Sequence, residues 1–555
     1  MENAIYATHT KRILTKLVSS SQPEVLAPAT TPLLLAGHAG VLLQNLPKPM
    51  TKLACSGLLA HFILCMAAIA FMPCFGPPLN AAEPQPARTS LLRVLDLNIN
   101  ESQEIELADR TRARVKLLSL EETRDPLRDA VRQALVKIVL NGRSLVLTSA
   151  TYHLPDRFAG AQIDCPITKG HLTNSSEGNA WGLVKDARLR LWPADSPWIE
   201  PGTFMYPLKQ RWFASHTQIA NEPTFVDGGE APGNKRIYYH FGLDSGGAEG
   251  MVDVVAAAGG TVISSGKEIL PGYDKNPAEP RYDVVYLLDD RGWYYRYSHL
   301  HTIDAAIKPG AQVSLGQKIG VLGKEGGSGG WSHLHFDITS RQPSGLWGIQ
   351  EGYAFLWESY QRQYSPKIIA VARPHRFVFA GEKVVLDGSK SWSSSGNIAR
   401  YEWTFTDGTR AKGPRVERFY AKSGEYSEIL KVTDAAGHTN YDFAIVLVID
   451  KSAPDQLPPT IHPAFAPTMD LRAGDSITFK VRTFRTTFGN ETWDFGDGTP
   501  KVTVKSDGNV QTLARDGYAV TQHRFAKAGH YIVRVDRKNE RGQQAISHLH
   551  VEIEL

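Results

Sequence analysis

Three short strings near the middle of the chain contain residue types that bind metals and move protons. They are His240-Phe-Gly-Leu-Asp244, Tyr297-Ser-His299-Leu and Ser332-His333-Leu-His335-Phe-Asp-Ile. A catalytic zinc site needs about three protein nitrogen or oxygen ligands and an open position for water. A His-x-x-x-Asp pair can supply two of these ligands. Together the strings indicate a metal site between residues 236 and 340.

The His-x-His pair of the third string can divide two tasks between its members. On a β-strand, residues two positions apart share a face, which places the two imidazoles roughly 7 Å apart. One imidazole can then bind the metal while the other points at the substrate or at the bound water. A further histidine would complete a pair of general acid/base groups.

The elements that must position these residues are short apolar runs separated by turns. With 555 residues, 48 Gly and 33 Pro, the chain is long enough for several domains and favours β-rich architecture with many turns. Residues 88–235 alternate apolar runs with polar turns, although 128–139 could instead form a short amphipathic helix. Residues 236–340 have the pattern of strands with glycine-rich turns. Residues 345–364 fit a short aromatic-rich helix or a docking segment.

The chain after Pro366 contains an internal repeat of an all-β unit. The first copy has Trp403-Thr-Phe-Thr-Asp407-Gly408 and the second has Trp493-Asp-Phe-Gly-Asp497-Gly498, each followed by a Gly-x-Tyr turn. Tryptophan and phenylalanine two positions apart face one side of a strand and can enter a core, while Asp-Gly closes a hairpin. Two similar all-β units are therefore predicted.

The ordered motifs of residues 235–340 closely resemble the lysostaphin-type zinc metallopeptidases. That family includes glycyl-glycine endopeptidases, β-lytic enzymes and peptidoglycan DD-endopeptidases. Between the histidine strings the chain also has Ala257-Ala-Gly-Gly-Thr-Val-Ile, Lys308-Pro-Gly-Ala-Gln-Val-Ser-Leu-Gly316 and the glycine-rich residues 323–330, in the family's order. The resemblance implies a two-layer antiparallel β-sheet with the site in a groove walled by loops.

The resemblance also implies the roles of five residues. His240, Asp244 and His335 would be the ligands of Zn²⁺, while His299 and His333 would be the non-ligand pair that deprotonates the water and then protonates the leaving amine. The implied activity is a zinc metalloendopeptidase that cuts peptidoglycan cross-links or cross-bridges. One alternative is a secreted protease for glycine-rich matrix proteins. The other is a non-catalytic cell-surface protein that uses the same fold for binding or regulation.

The two repeats resemble the polycystic-kidney-disease (PKD) type of immunoglobulin-like sandwich, whose hallmark is a Trp-x-Phe-Gly-Asp-Gly turn. The second copy matches this pattern fully. The first has Thr406 where glycine is usual, so we expect a different turn geometry there. The resemblance implies docking to a glycan or a protein, and the alternative is a passive spacer.

The predicted fold is mainly β, with a metallopeptidase domain between a β-rich N-terminal region and two C-terminal immunoglobulin-like β-sandwiches. The predicted boundaries are a doubtful upstream start at 1–49, a signal peptide or anchor at 50–82, the N-terminal region at 83–235, the metallopeptidase domain at 236–345, a connecting helix at 346–366, and PKD-type repeats at 367–452 and 458–555.

An apolar segment near the beginning of the chain predicts export. Residues 53–72 carry no charged side chain, Lys52 precedes them and small residues follow, which is the pattern of a signal peptide read from Met50. A stretch of this length could also span a bilayer as an uncleaved anchor. We therefore expect the protein in the periplasm, at the cell surface or outside the cell.

The charge balance after the predicted leader argues against one class of partner, and the cysteine count argues against internal disulfides. From residue 83 onward, 56 Lys and Arg stand against 55 Asp and Glu, so there is no electrostatic case for nucleic acid. Only Cys165 lies beyond the predicted leader, and the mature chain therefore cannot form an internal disulfide. We expect a monomer.

Several residues near the motifs have two open interpretations. Cys165, or Asn174 or Asn179, could block the metal site from the N-terminal region, whereas the simpler interpretation of Cys165 is a small buried residue. Tyr239, Tyr295 and Trp331 either shape the groove or pack in the core.

The tetrapeptide Ser-His-Leu-His occurs three times, at 298–301, 332–335 and 547–550. Only the copy at 332–335 follows the glycine-rich loop and precedes Phe-Asp-Ile. We interpret His301 as a solvent-facing or substrate-edge residue, and 547–550 as part of a structural strand.

Overall fold

The computed structural model describes residues 86–173, 175–220, 237–274, 277–487, 489–506 and 517–555. Nearly all regular structure in these ranges is β-strand, together with one α-helix, so the predicted mainly β fold is confirmed. The predicted leader at 50–82 lies outside the described residues. Within the described part of the chain, no helix is long and apolar enough to cross a membrane.

The N-terminal region consists of two antiparallel four-stranded sheets, in the orders β1-β8-β7-β6 and β2-β3-β4-β5. Strand β4 occupies the stretch that could also have formed an amphipathic helix. It alternates buried and more exposed positions, with Val136, Ile138 and Leu140 fully buried, and this period of two makes the helical alternative wrong. The strands are β1 (Arg93–Leu97), β2 (Ser102–Glu106), β3 (Arg112–Arg124), β4 (Val131–Leu140), β5 (Arg143–Ser149), β6 (Asp156–Phe158), β7 (Ala161–Thr168) and β8 (Ala187–Pro193).

The central domain, residues 237–349 together with the short strand Gln218–Ala220, carries the histidine strings on two antiparallel sheets. The larger has the order β13-β12-β14-β15-β19-β10-β9, with β17 beside β12 and β20 beside β19; the smaller has the order β11-β18-β16. This is the antiparallel arrangement that the sequence predicted. The strands are β9 (Gln218–Ala220), β10 (Leu243–Gly246), β11 (Asp253–Val255), β12 (Gly260–Ser265), β13 (Glu268–Ile269), β14 (Val285–Leu288), β15 (Tyr294–Ser298), β16 (Leu300–Ile303), β17 (Gln312–Val313), β18 (Lys318–Leu322), β19 (His333–Arg341) and β20 (Trp347–Ile349).

The aromatic segment after the central domain forms helix α1 (Tyr353–Tyr364). Its Phe355, Leu356 and Trp357 are buried in the same core as Tyr295 of β15. The helix ends at Ser365, whose φ of 45° takes the backbone out of the helical region directly before Pro366. Helix α1 is therefore part of the packing behind the central sheet.

The two repeats have the β-sandwich cores expected from their Trp-x-Phe strings. Trp403 and Phe405 are buried in the first core, and Trp493 and Phe495 in the second. The strands of the first repeat are β21 (Ile368–Ile369), β22 (Arg376–Phe379), β23 (Lys383–Asp387), β24 (Trp392–Ser393), β25 (Ile398–Thr404), β26 (Arg410–Lys412), β27 (Arg415–Phe419), β28 (Gly424–Asp434) and β29 (Thr439–Ile449). Those of the second are β30 (Thr460–Ala466), β31 (Ile477–Phe484), β32 (Gly489–Asp494), β33 (Val502–Ser506), β34 (Ala519–His523), β35 (Gly529–Lys538) and β36 (Gln544–Ile553).

The Asp-Gly turns of the two repeats differ at the position where the first copy departs from the hallmark. Gly496 has a φ of 72° and lies so close to the Ile532 carbonyl oxygen that a Cβ would be 2.7 Å from it. Thr406 does not have a positive φ, and its amide donates to the Glu428 carboxylate at 2.6 Å. The geometry thus differs because a side chain replaces the close backbone approach.

The two repeats share one sheet. Strand β28 of the first pairs in parallel with β36 of the second, with Gly424 opposite Gln544 and Glu425 opposite Ala545. The joined sheet has the order β22-β29-β28-β36-β35-β32-β33. Main-chain hydrogen bonds between strands fix their relative placement, so the repeats form one unit.

Candidate metal centre and active site

Strand register brings the separated motifs together. In the antiparallel pair β10 and β19, Asp244 lies opposite His335, and on the other side of β19 Ser298 lies opposite His335. Side chains at alternate positions of β19 share a face, so His333 and His335 point the same way. Residues about ninety positions apart thereby meet at one place on the sheet.

The glycine of the first string lets the chain pass close against β19. Gly242 has a φ of 85°, and a Cβ there would lie 2.6 Å from the Phe336 carbonyl oxygen and 2.8 Å from Asp337 Cβ. Only glycine tolerates both constraints. The close approach of the backbone at Gly242 allows the side chains of His240 and Asp244 to meet.

The three predicted ligands form a compact triangle of donor atoms. His240 Nε2 lies 3.0 Å from His335 Nδ1 and 2.9 Å from Asp244 Oδ1, and His335 Nδ1 lies 2.9 Å from the same oxygen. Each of the three residues is at most 4% exposed. Two imidazole nitrogens and one carboxylate oxygen at these separations suit one face of a tetrahedral zinc site, with the fourth position left for water.

The carboxylate of this triangle stays charged although it is buried. Burial alone would raise the pKa of Asp244, but the neighbouring His240 and His333, together with hydrogen bonds from His240 and His335, hold it well below its usual value. In the absence of metal, burial would lower the pKa of His335. Its hydrogen bonds to Asp244 and Asp337 outweigh burial and raise that pKa to about 9. Asp244 is therefore a charged carboxylate ligand for a cation.

Asp337 is a further candidate site residue that the motif reasoning did not single out. Its Oδ2 lies 3.1 Å from His335 Nε2, and Arg296 Nη1 lies 3.6 Å from the same oxygen. A carboxylate on the distal nitrogen of a metal-binding histidine fixes the tautomer and leaves the other nitrogen free to ligate. The signal was present in the sequence, because Asp337 follows His335 by two positions and shares its strand face.

Replacing Asp337 by asparagine is expected to weaken metal binding by about 10–100-fold, because the amide no longer fixes His335 as strongly. The measurement is competition for zinc against a chromophoric chelator. Asp253→Asn is a matched control, since that aspartate sits on β11 in an exposed pair with Lys318. Equal zinc affinity in wild type and Asp337→Asn would contradict the role of Asp337.

His299 and His333 lie beside the triangle as a second pair. Their ring centroids are 4.7 Å apart, and His333 Nε2 lies 3.4 Å from Asp244 Oδ2. His333 Nδ1 is 2.9 Å from the Trp331 carbonyl oxygen, and His299 Nδ1 is 2.7 Å from that of Glu325. A carbonyl only accepts, so each Nδ1 carries the proton and each neutral ring keeps its lone pair on Nε2.

Burial keeps both of these histidines neutral. It lowers the pKa of His333 to about 3 and also lowers the pKa of His299, whose neighbour Asp283 offsets part of the effect. In each neutral ring, Nε2 is the nitrogen with the free lone pair and so the atom that would act as a base.

An unusual backbone conformation sets the position of His299. Its φ is 68°, and its amide donates to Asp283 Oδ2 at 3.0 Å. Arg281 in turn holds Asp283 through two contacts of 2.5 and 2.7 Å. The buried Asp283 therefore holds the left-handed turn that directs His299 toward the site. Neither Asp283 nor Arg281 belongs to a recognisable string, so sequence reasoning missed both.

The N-terminal candidates for blocking the site are used elsewhere. Cys165 is buried in the N-terminal core, and burial raises the pKa of its thiol to about 12. The side chain of Asn179 bonds to the main chain of Leu183 through both its oxygen and its nitrogen. Asn174 lies outside the described residues. Cys165 is thus a buried thiol and Asn179 a turn residue.

The flanking aromatic residues fall into two groups. Tyr295 is fully buried and bonds to Asp289, and the Tyr239 hydroxyl accepts from the Val131 amide at 2.6 Å. These two are packing residues. Trp331, by contrast, lies against His333 with ring centroids 4.4 Å apart, and so belongs to the site.

Among the described residues, two further clusters of potential ligands each contain a carboxylate that pairs with a basic side chain. His530, His550 and Glu552 form one, in which Arg211 pairs with Glu552 at 2.5 Å. Glu249, His301 and Glu325 form the other, in which Lys324 pairs with Glu249 at 2.7 Å. The His301 side chain is 41% exposed, as predicted. The copy at 547–550 lies within β36.

Comparison with known proteins supports the motif reasoning. The profile described as Peptidase family M23 matches residues 238–344, and profiles described as PKD domain match residues 365–448 and 466–551. A curated relative, Collagenase ColA of Clostridium perfringens (strain 13 / Type A), is 33% identical over 81 residues, which is 15% of this chain and 7% of that protein.

Solved structures show local likeness to separate parts of the chain. A LytM-type glycyl-glycine endopeptidase structure from Ruminococcus gnavus ATCC 29149 has 18% identity over 29% of this chain and 61% of its own, with a TM-score of 0.20. The PKD1 domain of the Vibrio cholerae metalloprotease PrtV has 27% identity over 15% and 95%, with a TM-score of 0.13. The profile matches confirm the predicted resemblance: the chain contains a Peptidase family M23 domain followed by two PKD domains.

Proposed function

We propose that this chain is an exported zinc metalloendopeptidase that hydrolyses peptide bonds in peptidoglycan cross-links or cross-bridges. The observation that supports the proposal most directly is the buried triangle of His240, Asp244 and His335 beside two neutral histidines, inside a domain that matches Peptidase family M23. A structural metal site would be closed by a fourth side chain. In this proposal His299 and His333 lie outside the set of three ligand atoms and leave the fourth position to water.

In the proposed mechanism, His240, Asp244 and His335 hold the metal, and Asp337 orients His335. A bound zinc ion would supply polarisation of the scissile carbonyl and a lower pKa for water. His299 and His333 handle the protons, because each presents Nε2 as an acceptor while its Nδ1 is held by a main-chain carbonyl. One such ring can take a proton from the attacking water and return it to the leaving amine.

The remaining parts of the chain are proposed to deliver this centre to its substrate. The apolar residues 53–72 support the proposal of export, which agrees with a mature chain that holds a single cysteine and a nearly balanced charge. PKD domains suggest binding to protein or carbohydrate, which suits a polymeric substrate. Because the matched curated protein carries the name collagenase, a glycine-rich protein substrate is the alternative to include in the test.

The test uses the chain from residue 83 onward, incubated with purified cell walls and, separately, with an elastin-like peptide. We expect about one zinc per chain and new amino groups released from the walls. Zinc binding without cleavage of either substrate would overturn the hydrolase proposal. Cleavage of the elastin-like peptide alone would overturn the peptidoglycan assignment and leave the peptidase mechanism standing.

A further inference from the structure

The glycine loop, residues 323–332, forms the approach to the candidate active site and needs external support. It contains five glycines and joins β18 to β19, so it ends directly at His333. Glycine-rich backbone has a large conformational entropy and no side chains with which to pack. The first part of the loop is held by the central domain, where Gly326 donates to the Tyr282 hydroxyl at 2.8 Å.

The far end of the loop is held by the second PKD domain. Trp331 lies between two histidine rings, with its centroid 4.4 Å from that of His333 and 5.2 Å from that of His462 on β30. The interplanar angles are 31° and 40°, which are tilted face contacts. Aromatic rings in such contacts attract each other beyond the effect of the apolar area that they bury. His462 of the second PKD domain is therefore separated from the candidate catalytic His333 only by the Trp331 ring.

His462 is itself held in place by its own domain and by His216, which precedes the central domain in the sequence. Its Nδ1 lies 3.1 Å from His216 Nε2, and His216 Nδ1 lies 3.0 Å from Ser547 Oγ of β36. The His462 ring also meets Phe484 edge to face at 5.1 Å. These contacts make His462 a fixed support, because it has partners on several sides.

A second cross-domain contact holds the beginning of the loop. Lys324 forms a buried pair with Glu249, with contacts of 2.7 and 2.9 Å, and Lys480 of β31 donates to the Glu249 carbonyl oxygen at 2.8 Å. Lys324, Lys480 and Arg482 all lie within 5.5 Å of the Tyr518 ring centroid. Cations at this distance from an aromatic ring are attracted to its face. The second PKD domain thus touches both ends of the glycine loop.

The rigid union of the two PKD domains strengthens this support. They share a sheet through β28 and β36, and His375 of the first domain contacts the His216 carbonyl oxygen at 2.7 Å through Nε2. The segment around His216 is consequently held by both domains. Domains that only tether the enzyme to its substrate would need no more than a flexible linker. The contacts described above instead fix the PKD domains against the glycine loop.

We propose that the second PKD domain is a working part of the peptidase site, in which His462 positions Trp331 and, through it, His333. This inference rests on the proposed peptidase function and adds a residue from outside the central domain to the machinery. His462 is a positioning residue, because it acts through Trp331 and touches none of the candidate ligands. Trp331 contacts His333 in two ways, through its ring and through its carbonyl oxygen, which accepts from His333 Nδ1. A loosened Trp331 would therefore misalign His333.

The test compares two substitutions of His462 in the chain from residue 83 onward. His462→Ala removes the ring, and His462→Phe keeps the ring against Trp331 but loses the contact with His216. Both are expected to lower the melting temperature. We expect His462→Ala to lower kcat about tenfold with KM within about twofold, since small misplacements of catalytic groups have effects of this order. His462→Phe should stay within about threefold of wild type in both constants.

His523→Ala is the matched control within the same domain. His523 is partly buried, stacks on Phe495 at 3.9 Å and pairs with Asp497 at 2.8 Å, all within the second PKD domain. The His523→Ala substitution should lower the melting temperature as His462→Ala does, while kcat stays unchanged. Unchanged kcat in His462→Ala, or an equal loss in His462→Ala and His462→Phe, would overturn the proposal, because ring contact would then not position His333.

Hydrogen exchange separates a failure of this inference from a failure of the proposed function. Amides of peptides that span residues 323–332 should exchange about tenfold faster in His462→Ala than in wild type or His523→Ala. This measurement requires no turnover and remains informative if the wild-type chain cleaves nothing. Identical loop exchange in all three proteins would overturn the positioning role.

Discussion

His335→Ala is expected to abolish both metal binding and peptidase activity. The imidazole supplies the Nδ1 corner of the donor triangle and links it to Asp337. Its loss leaves one histidine and one carboxylate, too few ligands for a tetrahedral zinc site. Because the metal would contribute several kcal/mol of transition-state stabilisation, turnover should fall by about 10³-fold or more. Zinc per chain and release of amino groups from cell walls measure the two effects.

His550→Ala is the matched control for this variant. His550 is the last residue of the Ser-His-Leu-His copy in β36, as His335 is in the copy that enters β19. It belongs to the cluster in which Arg211 already pairs with Glu552, so we expect unchanged zinc content and turnover. Full zinc in His335→Ala would refute the ligand assignment. Loss of zinc in His550→Ala would place the metal in the β36 cluster.

The candidate centre could be predicted from the sequence because its metal-binding residue types occur at characteristic spacings. Asp244 and His335 could be assigned from the sequence to one metal site, since the motifs resemble a family pattern and occur in the expected order. Asp337 was within reach, because it follows His335 on the same strand face. Asp283 was not, because its role depends on a left-handed turn at His299 that no local pattern in the string indicates.

Long-range packing was the part of the fold that local patterns could not supply. Alternation tells which face of a strand is buried, and it correctly marked Trp403 and Trp493 as core residues. It does not tell which partner covers that face. The pairing of β28 with β36 and the approach of His462 to Trp331 both join segments that are remote in sequence. Such contacts emerge only when complete domains pack together.

Helix and strand were hard to distinguish where apolar residues were dense. Residues 128–139 allowed an amphipathic helix, yet Val131–Leu140 is a strand. Its β-branched residues favour a pleated surface. Strand β3 pairs with it from Val131 to Leu140, and β5 pairs with it from Ala134 to Leu140. The local pattern was ambiguous, and the available partners decided the outcome.

His333→Ala is expected to retain the metal and lose most of the activity. His333 lies outside the donor triangle and approaches only the second carboxylate oxygen of Asp244, at 3.4 Å. Its removal leaves all three ligands in place, so zinc per chain should match wild type. The lost function is proton transfer at Nε2, and removal of a general acid or base lowers turnover by about 10²–10⁴-fold.

The comparison of His333→Ala with His335→Ala decides between a catalytic and a ligating role. If His333 were a fourth ligand, both variants would lose zinc, and the site would be a closed structural one. If His333 only packed against Trp331, His333→Phe would restore turnover by keeping the ring contact of 4.4 Å. We expect His333→Phe to hold zinc and remain inactive, because phenylalanine has no nitrogen to accept a proton. An active His333→Phe would assign the proton transfer to His299 alone.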